Sequence, residues 1–155
     1  MFNVNLPESP PELASAGDIS GDSCSGKISP SIRILVIDDS EFNLLLLDRT
    51  LKKYGHIVTT VKSGEGALAL VAQKNVMKGT AFDLIFMDYD MGVQCLTGVD
   101  TVKEIRRMGQ IIQPKIIGYS SEEQSNQLLS LIGADTTLLK PANRNEILEM
   151  IAELT

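Results

Sequence analysis

Four apolar runs in this chain end on residues able to do chemistry. Leu84, Ile85, Phe86 and Met87 lead into Asp88 and Asp90, with only Tyr89 between the two acids, and "ILVI" leads into Asp38 and Asp39. "KIIGY" runs into Ser120, and "TTLL" runs into Lys140. An ionised carboxylate at the end of a buried segment costs several kcal/mol, roughly, unless a cation or hydrogen-bond donors meet it. Clustered acids repel one another unless a hard divalent cation sits among them, and magnesium prefers oxygen ligands while keeping several waters. With a lysine and a hydroxyl at the same mouth, such a cluster can hold a phosphoryl group, whose oxygens need cations and donors. The expected chemistry is phosphoryl transfer at a magnesium-holding acidic cluster.

Gathering these residues requires a particular scaffold, and the hydrophobic pattern supplies one. "IRILVI" is a compact apolar strand, and "SEFNLLLLDRTLKKY" spaces Phe42, Leu45, Leu46 and Arg49 as a helix would, ending before Gly55. "HIVTTV" is a second strand, "GEGALALVAQKNVMKG" a helix carrying Ala67, Leu68, Leu70 and Val71 inward, and "FDLIFM" a third strand with almost no alternation. That lack of alternation suits a strand covered on both faces. "GVDTVKEIRRM" is helical, "KIIGYS" a strand, "EEQSNQLLSLIG" a helix closed by Gly133, "TTLLK" a short strand, and "NRNEILEMIAEL" a helix opened by Asn143 and Glu146 in capping-box spacing. Alternating strands and helices demand parallel strands with right-handed crossovers. The expected fold is α/β, a flavodoxin-like doubly wound five-stranded parallel sheet of order 2-1-3-4-5 with five helices, whose ligand crevice lies at the carboxyl ends of the first and third strands. Asp38, Asp39 and Asp88 then converge on one crevice, with Ser120 and Lys140 bordering the same mouth.

Composition narrows the function classes. The chain has 155 residues, 43% apolar, a formal net charge of -6 and a pI near 4.8, which allow one ordinary core and argue against a nucleic-acid footprint. Cys24 and Cys95 are far apart and suggest neither a disulfide framework nor a metal-ligand spacing. Neither a membrane span nor a signal peptide is expected, so the chain reads as soluble and cytoplasmic, or nuclear if eukaryotic. Residues 1–30 are expected to be a disordered tail or linker and 31–155 the folded domain. Within the tail, "GDSCSGKI" (Gly21 to Ile28) nearly spells a phosphate-binding P-loop, but Ile28 stands where Ser or Thr would hold magnesium and no strand precedes it.

These residues together resemble the receiver domains of two-component response regulators, including those of hybrid histidine kinases. The matching positions are Asp38-Asp39 after "ILVI", Asp88 after "DLIFM", Ser120 after "KIIGY", and Lys140 followed by Pro141; Asn43 in "DDSEFN" is similar to the hybrid-kinase and plant type. The resemblance implies that Asp88 takes a phosphoryl group from a phosphohistidine, with magnesium held by Asp39, Asp88 and the backbone carbonyl of Asp90, and by Asp38 through water. It implies that Lys140 and Ser120 contact phosphoryl oxygens, and that Asp90 and Glu122 flank the path of the hydrolytic water. The implied partner is a histidine-phosphotransfer protein or histidine kinase docking near the first helix and the loop after the fifth strand. The implied role is a monomeric relay or phosphate sink that catalyses its own phosphorylation and dephosphorylation rather than an enzyme in the ordinary sense.

The chain departs from the family pattern in two places. Met91-Gly92 replaces the usual Met-Pro and the expected glycine arrives only at Gly98, so this loop is expected to be about two residues longer and more flexible. Thr137 stands where an aromatic ring normally swings, so little coupling from Ser120 to the outer face is expected. Taken singly, each motif has an ordinary role: an acidic pair caps a helix, a lysine is solvated, a serine caps the next helix. Two alternatives stay open, a pseudo-receiver kept for protein contacts and a haloacid-dehalogenase-like phosphatase using Asp88 and Asp90. His56 is expected to be uninvolved in catalysis, and Tyr54, Tyr89 and Tyr119 to be packing residues.

Overall fold

The computed structural model describes residues 30–92, 95–110 and 112–155. The expected tail apart from Pro30, and with it Cys24 and the P-loop-like stretch, lies outside that range, as do Val93 and Gln94 of the loop expected to be flexible, and Ile111. Strand β1 (Arg33–Ile37) leads to helix α1 (Glu41–Lys53), followed by β2 (Ile57–Val61), α2 (Gly64–Val76), β3 (Leu84–Met87), α3 (Gly98–Arg107), β4 (Lys115–Ser120), α4 (Glu123–Leu131), β5 (Thr136–Leu139) and α5 (Arg144–Leu154). All neighbouring strands are parallel and the sheet order is β2-β1-β3-β4-β5, as the sequence pattern predicts.

Period-two alternation along the central strands divides the core into two layers. Ile34 and Val36 of β1, Leu84 and Phe86 of β3 and Ile117 of β4 meet Leu44, Leu47 and Leu51 of α1 and Ile147 and Ile151 of α5. Leu35, Ile37, Ile85, Met87 and Ile116 face the other way, onto Ala67 and Val71 of α2, Val102 and Ile105 of α3, and Leu129 of α4. Every residue of β3 is buried, which explains its unbroken apolar run. Burying each of these side chains, Ala67 apart, contributes about 1.5–3 kcal/mol. No helix among the described residues is long and apolar enough to cross a membrane.

Helix α1 forms where the spacing predicts it, and the structure adds which face is inward. Phe42, Leu45 and Leu46 do follow helical spacing, but they lie on the outer face, Phe42 being 72% exposed, and the inward stripe is Leu44, Leu47 and Leu51. Four consecutive leucines, 44–47, place two inside and two outside in almost any helical phase, so periodicity alone could not choose. In α2, Ala67 and Val71 are buried as expected, while Leu68 and Leu70 are only partly covered. The capping box on α5 is present, Asn143 Oδ1 accepting from the Glu146 N–H at 3.0 Å and Glu146 Oε2 accepting from the Asn143 N–H at 2.7 Å.

The loop between β3 and α3 is where departure from the family pattern has structural content. Gly92 has φ 87, a left-handed conformation closed to proline, whose ring fixes φ near −65°. Gly98 opens α3 directly against the end of β3: a Cβ there would lie 2.2 Å from the Asp88 carbonyl oxygen, and its N–H donates to the Tyr89 carbonyl at 3.1 Å. Glu65 of α2 holds the same loop by accepting from the Leu96 N–H at 2.9 Å. Despite the displaced glycine, the loop therefore returns to the end of β3.

Candidate functional site

Parallel strands end side by side, so the residues just past β1, β3, β4 and β5 share one edge of the sheet. Backbone bonds continue the ladder past the strand ends: the Asp38 N–H donates to Val61 O at 3.2 Å, the Asp88 N–H to Ile37 O at 3.0 Å, and the Lys140 N–H to Ser120 O at 2.9 Å. The result is a cleft of about 330 Å³ lined by Asp38, Asp39, Asn43, Asp88, Tyr89, Asp90, Ser120, Ser121, Glu122, Ser125 and Lys140. Apart from Thr137, each residue singled out from the sequence for this site borders it. Thr137 lies elsewhere: its methyl carbon is 3.2 Å from where a Cβ on Gly118 would sit, and Leu129 of α4 lies 3.1 Å from the same point. His56 is buried away from the cleft, and burial pulls its pKa down.

One carboxylate oxygen from each of Asp38, Asp39 and Asp88 lies within 4.8 Å of the others. Asp38 and Asp88 are buried and Asp39 is exposed. Asp38 is held on every side: Oδ1 accepts from the Ser40 N–H at 2.9 Å, and Oδ2 accepts from Asn43 Nδ2 at 3.1 Å and from Lys140 Nζ at 2.5 Å. Ser40 in turn caps α1 by accepting from the Asn43 N–H at 3.4 Å. The Lys140 ammonium also donates to Asp88 Oδ1 at 3.0 Å and sits 5.1 Å from the centre of the Tyr119 ring.

Three carboxylates around one ammonium leave an excess of negative charge. Burial pushes the Asp88 carboxyl up to about 6; Lys140 opposes the shift, and the charges of Asp38 and Asp39 add to it. Burial by itself would lower the Lys140 pKa, but the hydrogen bonds and charges of Asp38 and Asp88 outweigh it and the group ends above its ordinary value, a firm cation. Hard oxygen donors in close array, with one of them unstable as an anion, fit a hard divalent cation.

On the opposite wall, the Ser120 hydroxyl accepts from the Glu122 N–H at 3.3 Å, and Glu122 Oε2 accepts from the Ser125 hydroxyl at 3.3 Å. Asn126, buried in α4, donates to Leu138 O at 3.0 Å and to Ser120 O at 3.5 Å, tying that helix to the strand ends that carry Ser120 and Lys140. Asp90 accepts from the Gly92 N–H at 3.4 Å. The sequence reading missed the grip of Asn43 on Asp38, the stacking of Tyr119 under Lys140, and Ser121 and Ser125 in the cleft wall. Asn43 carried a signal, standing three residues after a capping serine and four after the acidic pair; the others carried none.

The response regulator receiver domain family matches residues 34–152. The chain is 31% identical over 126 residues to the two-component response regulator ARR22 of Arabidopsis thaliana, covering 79% of this chain and 83% of that protein. It is 37% identical over 84 residues to Histidine kinase 2 of the same plant, covering 54% of this chain and 6% of that protein. Among solved structures, the chemotaxis protein CheY4 of Vibrio cholerae superposes with a TM-score of 0.70 at 27% identity, covering 81% of this chain and 100% of that one. The receiver domain of sensor histidine kinase PA1611 from Pseudomonas aeruginosa PAO1, solved with a magnesium ion coordinated in its active site cleft, shares the fold with a TM-score of 0.70 at 23% identity, over 81% of this chain and 98% of that one.

Proposed function

The chain belongs to the response regulator receiver domain family of two-component and phosphorelay systems, and from that premise we propose that Asp88 accepts a phosphoryl group from the phosphohistidine of a donor protein. The observation that carries this reading is the Asp88 carboxylate, buried at the end of β3, 3.0 Å from the Lys140 ammonium and flanked by the carboxylates of Asp38 and Asp39.

In the transfer, an Asp88 oxygen bonds to phosphorus as the phosphorus–nitrogen bond of the donor breaks, and the departing imidazole keeps the bonding pair and takes a proton. Lys140 pairs with one phosphoryl oxygen and Ser120 donates to another. Asp38, Asp39, Asp88 and the backbone carbonyl of Asp90 would hold magnesium, which when bound would supply the positive charge that lets a phosphoryl group approach the acids. The acyl phosphate is later hydrolysed by water entering between Asp90 and Glu122, so the chain promotes its own loading and unloading without turning over a substrate.

The donor is a histidine-phosphotransfer protein or a histidine kinase. Phe42, Leu45 and Leu46 support this assignment, because they give α1, the helix whose Asn43 lines the cleft, an exposed apolar face where such a partner can seat. Residues 31–155 form the receiver, and the chain works as a monomer in the cytoplasm or nucleus. Incubation with a phosphorylated histidine-phosphotransfer protein and magnesium, followed by intact mass, tests the reading. A gain of one phosphoryl mass is expected, and a wild-type chain that stays unmodified would contradict it.

A further inference from the structure

Asp38 Oδ2 is shared by donors from two different elements, Lys140 Nζ at 2.5 Å and Asn43 Nδ2 at 3.1 Å, while Oδ1 is taken by the Ser40 N–H. Asp38 is 1% exposed, so bulk solvent has little access to the place that a departing donor leaves. Lys140 has two attachments, to Asp38 and to Asp88. In the function proposed above it turns toward a phosphoryl oxygen once Asp88 is loaded. That turn withdraws a full positive charge from Asp38, and a buried carboxylate left short of donors is strongly unfavourable.

Asn43 is the residue placed to meet this need. Its backbone N–H is fixed by the Ser40 cap in the first turn of α1, and its side chain reaches back into the cleft. Asp38 Oδ2 can only accept, so the amide must present its nitrogen there. The amide is neutral, so it supports Asp38 without repelling Lys140. A second carboxylate at this position would add to the charge excess, and a second lysine would compete for the phosphoryl group.

We propose that Asn43 is a positioning residue that keeps Asp38 satisfied when Lys140 leaves it, so that the lysine can move between the aspartates and the phosphoryl group without stranding a buried charge. This role rests on the phosphoacceptor reading and deepens it. Without the amide, Lys140 becomes the only side-chain donor to Asp38 Oδ2 and is held there. Phosphoryl binding then weakens, whereas magnesium binding, which draws chiefly on Asp39 and Asp88, changes little.

Beryllofluoride, a phosphoryl mimic that attaches to carboxylates, separates the two effects. With magnesium saturating, Asn43→Ala is expected to take up beryllofluoride about tenfold more weakly than wild type, the worth of one hydrogen bond to a charged group, while its magnesium affinity stays within about twofold. Uptake equal to wild type overturns the role of Asn43 and leaves the phosphoacceptor reading standing; failure of wild type itself to take up the mimic overturns both. Metal-free thermal unfolding of Asn43→Ala, Lys140→Met and the double variant supplies a measure without any phosphoryl chemistry. Because the two donors share one acceptor oxygen, Asn43→Ala is expected to lower the melting temperature at least about twice as far in the Lys140→Met background as in wild type. Equal shifts in the two backgrounds overturn the proposal.

Discussion

Replacing Asp88 with Asn should stabilise the metal-free protein while removing the carboxylate proposed to accept the phosphoryl group. The Asp88 carboxyl moves from an ordinary 3.8 to about 6 in the fold, chiefly through burial, with Lys140 opposing and the neighbouring acids contributing. Between those two values the folded chain holds a proton that the unfolded chain has released, so stability falls as pH rises through the window and the whole penalty is present above about pH 6. At 1.36 kcal/mol per pKa unit, a shift of about two units corresponds to about 3 kcal/mol. Asn keeps the shape and can still accept from Lys140, but it loses the ionic part of that bond, so the net gain at pH 7.5 should be about 1–3 kcal/mol. For a domain of this size that is about 4 to 12 °C in melting temperature. Circular-dichroism melts in EDTA at pH 7.5 and pH 4 are the assay. The advantage of Asp88→Asn should shrink to under about 1 kcal/mol at pH 4, where the wild-type carboxyl is protonated in the fold as well. Magnesium should raise the wild-type melting temperature and leave the variant nearly unmoved. A variant that melts at or below wild type at pH 7.5 would refute the view of this site as a destabilised cluster awaiting a cation.

Other consequences follow from the same geometry. Asp39→Ala should weaken magnesium binding more than Asp38→Ala, because Asp39 faces the cleft whereas Asp38 is occupied by Ser40, Asn43 and Lys140; equal losses in calorimetric titrations would count against that division. Gly98→Ala should destabilise the fold by about 1–3 kcal/mol through overpacking, since its Cβ would fall 2.2 Å from the Asp88 carbonyl oxygen; a melting temperature equal to wild type would mean that the loop does not need this close approach. Sedimentation of the magnesium-beryllofluoride form should show a monomer, with Asp90→Asn and Glu122→Ala altering phosphoryl lifetime but not assembly; a dimer formed through the face of α4, β5 and α5 would overturn the relay reading.

Much of the fold was legible because the physics is local and repeated. Apolar runs without alternation mark strands covered on both faces, and helical stretches between them leave parallel pairing as the available solution. The placement of the acidic residues follows from the fold, since a carboxylate that ends such a run must lie at the carboxyl edge of the sheet. The phase of α1 was not legible, because the leucines at 44–47 satisfy several helical faces equally. Loop counting registered that Gly98 is displaced, but not that Gly92 takes a left-handed φ or that Gly98 abuts Asp88. The contact between Asn43 and Asp38 depends on how a helix leaves a strand, and the stacking of Tyr119 beneath Lys140 on a pairing between neighbouring strand ends. Neither leaves a periodic trace in sequence.

The central claim is that a phosphoryl group becomes attached to the Asp88 side chain. The most direct measurement loads the chain from a phosphorylated histidine-phosphotransfer protein, reduces the acyl phosphate with borohydride, which turns a phosphorylated aspartate into homoserine, and maps the peptides by mass. Homoserine is expected at position 88 in wild type with magnesium, and at no position with EDTA or in Asp88→Asn. Homoserine at another acidic position, or its absence from a chain incubated with an active donor and magnesium, would contradict the account.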